Sequence, residues 1–164
     1  MTHKATRSPW PADFPEVLVH TSVARRDAHP CYLRAKAGDP DAALTLALDL
    51  LEGEVVQVLR KKLAGYSAIL LPVIADETTG FNAIPDAMAQ VLSRNLDITV
   101  AAGEIVQINK VGHTRARAFQ RLVTPAMFDG EVEFGAEYIL VDDHIGLGGT
   151  LANLRGYVKH AAAR

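Results

Sequence analysis

The residues best placed for chemistry lie in one run, Tyr138-Ile139-Leu140-Val141-Asp142-Asp143-His144-Ile145-Gly146-Leu147-Gly148-Gly149-Thr150-Leu151. Four apolar residues suit a buried strand. Two acids stand at its carboxyl end, a glycine-rich turn follows, and a threonine opens a helix. Open α/β sheets bind ligands beyond the carboxyl ends of their strands. Glycines let backbone N–H groups approach an anion, and a helix N-terminus adds favourable partial charge. Thr150 is expected to cap that helix or to donate its hydroxyl to a phosphate. Asp142 and Asp143 would repel an anion unless they do other work. Vicinal ribose hydroxyls or a bridging Mg²⁺ are that work. His144 offers an acid, a base or a ligand, or simply a local hydrogen bond.

Two other glycine motifs fit less well. A dinucleotide fold needs its glycines directly after the strand and an acid about 20 residues later. Here the acids come first. A Walker-type loop needs Gly-Lys-Ser/Thr, which is absent.

Strands and helices must position this run. Asp39-Pro40 reads as an N-cap followed by proline at the first helical position. Ala43, Leu44, Ala47, Leu48, Leu51, Val55, Val58, Leu59 and Leu63 then recur at three and four, which predicts a long amphipathic helix to about Ala64, ended by Gly65. Gly53 marks a place where it could break. Ser67 to Val73 is a continuous apolar run that suits a strand buried on both faces, with Pro72 at its C-terminal end. A polar loop is expected from Ala75 to Asn82. Ile84-Pro85 opens a helix with Ala87, Met88, Val91 and Leu92 on one face. Ile98–Ala101 and Ile105–Asn109 are strand-like, residues 111–130 show no clear period, and Leu151–His160 reads as a last helix. Alternation of this kind predicts an α/β fold with a mainly parallel central sheet flanked by helices. Residues 1–16, with Pro9, Pro11 and Pro15 around Trp10 and Phe14, read as an arm without regular period.

Composition narrows the function classes. The 164 residues suffice for one core, and 49% hydrophobic with 22% charged is globular. Seventeen Lys+Arg against 19 Asp+Glu give a net charge of −2, so a broad electrostatic grip on nucleic acid is not expected. No apolar run approaches the ~20 residues of a membrane span. The N-terminus has charge but no apolar h-region, so no signal peptide is expected, and the expected setting is the cytoplasm. The single Cys31 excludes an internal disulfide framework and reads as a small apolar residue. His3, His20, His29 and His160 have no ligand spacing, so no zinc site is expected.

The run from Tyr138 to Thr150 resembles the signature of the type I phosphoribosyltransferases. That resemblance implies that Asp142 and Asp143 hold the ribose 2- and 3-hydroxyls of phosphoribosyl pyrophosphate (PRPP). It implies that His144, Ile145, Gly146, Leu147, Gly148, Gly149 and Thr150 line the ribose and wrap its 5-phosphate. Asp142 and Asp143 would also meet Mg²⁺, directly or through water. The family's pyrophosphate loop follows the first core strand, a place taken here by Ala75, Asp76, Glu77, Thr78, Thr79 and Gly80. Its mobile loop is matched by the stretch beginning at Lys110 and carrying His113, Arg115 and Arg117, whose cations would clamp a diphosphate. By the same resemblance residues 17–66 are a helical hood that recognises the acceptor, and residues 67–164 are the core.

The implied reaction is Mg²⁺-dependent transfer of ribose 5-phosphate from PRPP to a nitrogenous acceptor, with release of pyrophosphate. The alternative is a catalytically inactive relative, a sensor that binds PRPP or a nucleotide. Gly146 stands where some purine-salvage members carry an aspartate base, so the turn gives no support to purine salvage. Members often pair, and a homodimer is one form the resemblance allows. Members also usually continue into another core strand. Against them, a chain ending at Arg164 is expected to be C-terminally truncated or to have that sheet edge covered by a partner.

Overall fold

A computed structural model describes residues 7–13, 17–77, 80–109 and 125–162. Two short helices come first, α1 (Val23–Asp27) and α2 (Tyr32–Lys36). Ser22 caps α1, its Oγ accepting from the Arg25 N–H at 3.2 Å. Helix α3 (Pro40–Leu50) starts as expected: the Asp39 carboxylate accepts from the Ala42 N–H at 3.0 Å, and proline takes the first turn. That bond, followed by the Arg34 guanidinium, holds the Asp39 carboxyl below the usual carboxylate range.

The single long helix expected to Ala64 is two helices. Leu51 and Glu52 are extended, and α4 (Gly53–Lys62) begins at the glycine. The break lies just before Gly53 and re-aims the second half. It also shifts the buried face. Leu46 and Leu50 are buried with Ala42, Ala43 and Ala47, whereas Leu48 stands 58% exposed. Burying a leucine stabilises by about 1.5–3 kcal/mol, so Leu46 and Leu50 anchor α3.

Strand β1 (Ala68–Pro72) ends on its proline, as expected. It pairs in parallel with β6 (Glu137–Val141), in a register from Ala68 opposite Glu137 to Pro72 opposite Val141. Pro72 donates nothing, and the ladder resumes one residue on, where the Val73 N–H meets the Val141 carbonyl at 2.8 Å. The chain then forms β2 (Ile74–Glu77), which turns back through β3 (Gly80–Phe81). The polar loop expected over 75–82 is therefore largely strand. Its cause is tertiary: β2 lies in parallel against β4 (Ile105–Gln107), with Ile74 opposite Val106 and Ala75 opposite Gln107.

Helix α5 (Ile84–Leu96) buries Ala87, Met88, Val91 and Leu92, the predicted face. The strand-like run at 98–101 is reduced to one parallel bridge, Val100 with Leu70. Strand β5 (Phe128–Gly130), in a stretch without readable period, runs antiparallel to β4. The last element is α6 (Gly149–Ala161).

The α/β architecture with a small, mostly parallel sheet and flanking helices stands as expected. Leu70 enters a cluster with α3 and α5 on one face. Leu71 enters a second cluster with Ile105, Phe128, Leu151 and Leu154 on the other. That two-sided burial is why β1 reads as unbroken apolar sequence.

Gly130 closes the β4–β5 pair in a conformation that favours glycine, φ +142°. A Cβ there would stand 1.8 Å from the Glu104 carbonyl oxygen. Gly130→Ala is expected to cost about 2 kcal/mol or more, read as a lowered denaturation midpoint. An unchanged midpoint would contradict this packing.

Candidate functional site

The carboxyl ends of β1 and β6 point the same way and are tied at Val73 and Val141. Asp142 and Asp143 follow directly at this end. A small open cleft of about 90 Å³ lies beside them. From the predicted run it takes Asp142, Asp143, His144 and Thr150. Ala75 joins from the predicted pyrophosphate segment, and Val73 forms part of the floor. Three polar residues that sequence reasoning passed over complete it: Lys36, Asn82 and Gln107.

Like charges in a half-buried place need compensation. The Asp143 carboxylate is only 6% exposed, and Lys36 Nζ stands 2.9 Å from its Oδ2. The Asp143 N–H donates to Asp142 Oδ1 at 2.8 Å. The Asp143 carbonyl accepts from Arg26 Nη1 at 2.9 Å. Arg26 is itself buried. Its Nε and Nη2 grip Asp27 Oδ1, and its guanidinium lies 4.9 Å over the Tyr32 ring. Burial first, and then the Asp143 carboxylate, push the Asp142 carboxyl up to about 8.

The turn after the acids is open. Ile145 and Leu147 are 41% and 76% exposed, and His144 and Gly146 are exposed with them. Thr150 does not cap the helix. The N-cap of α6 is Gly148, at φ +68°, and no side chain satisfies that helix end. Thr150 sits one residue into the helix, half-buried, on the cleft wall. Gly148 is required by its φ and not by crowding, since the nearest atom to a Cβ there is Trp10 Nε1 at 3.8 Å. The N-terminal arm reaches this point because the Ser8 N–H donates to the Ala152 carbonyl and Arg155 holds Ser8 Oγ and the Pro9 carbonyl. Arg155 also lies 5.4 Å over the Trp10 ring.

Of the other expected site residues, Asp76, Glu77 and Gly80 lie in β2 and β3 and not in a loop. Thr78, Thr79 and the side chains of Asp76 and Glu77 lie outside the described residues. Lys110, His113, Arg115 and Arg117 lie outside them as well. The strands that bracket this last stretch are described. The Ile108 N–H bonds the Met127 carbonyl, while Asn109 accepts from the Met127 N–H and donates to the Pro125 carbonyl. Tyr32 packs against the core, with Arg26 over its ring. Among the described residues no three His, Cys, Asp or Glu side chains converge as a metal cluster. No helix among them is long and apolar enough to cross a membrane.

Lys36 and Arg26 carried only weak signals. Lys36 sits in the run Ala35-Lys36-Ala37-Gly38-Asp39, just before the Asp39 N-cap. Arg26 belongs to the polar-rich segment 25–32, whose target is over 110 residues away in sequence. Gln107 follows an apolar strand residue and carried no signal.

No family model matches the chain. It is 41% identical over 152 residues to an uncharacterized protein of Haemophilus influenzae, covering 93% of this chain and 34% of the relative. It is 40% identical over 157 residues to the Escherichia coli protein TraN, covering 96% of this chain and 35% of that protein. The chain thus spans about a third of the length of these curated relatives.

The acid pair generates a stability prediction. An acid whose folded pKa is raised binds more protons folded than unfolded, so its stability contribution is complete below the unfolded value and is lost as pH rises through the folded one. For Asp142 the window runs from 3.8 to about 8. Asp142→Asn keeps the Oδ1 acceptor and removes the titration. Its melting temperature should match the parent below the window and exceed it by several degrees above, at about 2–4 °C per kcal/mol. A difference independent of pH would refute the assignment.

Proposed function

We propose that the cleft binds PRPP with Mg²⁺ and transfers its ribose 5-phosphate to a nitrogenous acceptor, releasing pyrophosphate. The supporting observation is one constellation: a buried parallel strand, an acid pair at its carboxyl end, a glycine turn and an uncapped helix N-terminus beside one cleft. In this reading Asp142 and Asp143 accept from the ribose hydroxyls. The backbone N–H groups at the start of α6 and the Thr150 hydroxyl receive the 5-phosphate, where the helix adds favourable partial charge.

The donor set fits Mg²⁺. This ion keeps most of its waters and takes one or two carboxylates plus substrate phosphates. A carboxyl raised to about 8 by burial and a like neighbour is a place where a cation is favourable. When bound, the ion would neutralise charge on the departing diphosphate. The ribose C1–O bond to pyrophosphate breaks, a C1–N bond to the acceptor forms, and the acceptor nitrogen releases its proton. The acid pair fixes the sugar while C1 gains positive character. Cations of the 110–117 segment would assist the leaving group.

One observation favours a second reading, a binding-only relative. Lys36 Nζ already occupies the Asp143 carboxylate at 2.9 Å, so a ligand must displace or share that ammonium. The absence of a side-chain base at Gly146 agrees with it.

Millimolar PRPP with Mg²⁺ is expected to raise the melting temperature by several degrees, about 3–4 kcal/mol of linkage at a few hundred times the dissociation constant. Asp142→Ala with Asp143→Ala should abolish the rise. No rise in the parent protein rules out both readings. Pyrophosphate release across a panel of bases and amines separates them, since binding without release selects the sensor.

A further inference from the structure

Gln107 has one half of its amide committed and the other half left open. It ends β4 at the cleft and is only 7% exposed. Its Nε2 donates to the Asn109 carbonyl at 2.6 Å. That carbonyl is held in place, because the Asn109 side chain is bonded to both Pro125 and Met127. The amide therefore has one orientation, since a flip would set carbonyl oxygen against carbonyl oxygen. Its Oε1 is buried with no hydrogen-bond partner among the described residues. A buried acceptor left unmet costs stability, and such costs persist in native proteins where a ligand supplies the partner.

We propose that Gln107 Oε1 is a ligand-selecting acceptor that receives a hydrogen bond from an N–H or O–H donor on the molecule entering this cleft. The proposal deepens the phosphoribosyl reading and rests on it. Asp142 follows β6, and Gln107 lies on β4, with the β1–β2 segment between them. Two strand spacings separate their backbones by about 10 Å, so Gln107 approaches the ligand from the side of the floor opposite the acid pair. Gln107 thus meets a different part of the ligand. Ionised phosphate oxygens only accept, so a bare diphosphate does not satisfy it. Two donors remain: an N–H of the nitrogenous acceptor, or a water carried by the divalent cation. Both impose the same rule, that a group offering only acceptors is rejected at this position.

The test uses Gln107→Met, which keeps length and volume. Three quantities are read: the melting temperature without ligand, the dissociation constant of Mg²⁺-PRPP by calorimetry, and pyrophosphate release with adenine, hypoxanthine, uracil and orotate. The ligand-free melting temperature should change little, because removal of the unmet Oε1 offsets the lost Nε2 bond to the Asn109 carbonyl. If the donor is metal-bound water, PRPP affinity falls about tenfold, the loss of one hydrogen bond to a ligand. If the donor belongs to the base, PRPP affinity holds and kcat/KM for the reacting base falls about tenfold. Unchanged affinity together with unchanged release, or with no release from either protein, overturns the proposal. A lowered melting temperature with unchanged binding also overturns it, since that marks a structural amide. Failure of the parent protein to bind PRPP is a distinct result and removes the reading underneath.

Discussion

Two carboxylates stand side by side at the buried end of β6, and the surrounding structure is arranged to tolerate them. Asp142 and Asp143 cannot both be charged cheaply where water is scarce. Three responses are visible. The Asp143 N–H turns onto Asp142, Lys36 lies against Asp143, and the Asp142 carboxyl is pushed up toward its neutral form. The first is local, but the second requires α2 to be delivered to the sheet end from a hundred residues away. Arg26 adds a third tie, from α1 to the Asp143 carbonyl, and is itself held by Asp27 and Tyr32. The small N-terminal helices are thus attached to the site by charge as well as by apolar contact.

The sheet supplies the rigidity this needs. β1 is covered on both faces, Leu70 by α3 and α5, Leu71 by the cluster around Phe128 and Leu154. Pro72 ends its pairing with β6, and the chain passes at Val73 from one strand partner to another. That change of partner opens the floor of the cleft. β6 remains on one side with its acids, and β4 on the other with Gln107. The glycine turn and the uncapped start of α6 stand exposed above them, with Trp10 nearby. Donors and acceptors are therefore segregated. Backbone N–H groups gather at the turn, and acceptor oxygens gather on the floor, with Lys36 as the intervening charge.

Residues whose role is set by near neighbours were legible. Asp39 and Pro40 start a helix, Pro72 ends a strand, Ile84–Leu96 carries its apolar face, and the acids follow β6 directly. Each rests on a hydrogen bond or a period contained within a dozen residues. Errors arose where distant partners decide. The 74–77 stretch reads as loop by composition and becomes strand because β4 lies beside it. The helix over 39–64 reads as continuous and divides at Leu51–Glu52, with Leu48 outward and Leu46 inward. Thr150 reads as a cap, yet Gly148 adopts the positive φ that begins the helix two residues earlier.

By itself the sequence determined the α/β class, the parallel character of the central strand and the position of the acid pair before a glycine turn. Those features depend on periodicity, on proline and glycine stereochemistry and on adjacency along the chain, all of which are local. Only the tertiary structure decided that Lys36 and Arg26 serve Asp143, that the Arg26 guanidinium lies over Tyr32, and that Gln107 faces the same cleft with an acceptor unmet among the described residues. Electrostatic compensation and burial are properties of three-dimensional neighbourhood. No spacing along the chain encodes which lysine will meet which carboxylate.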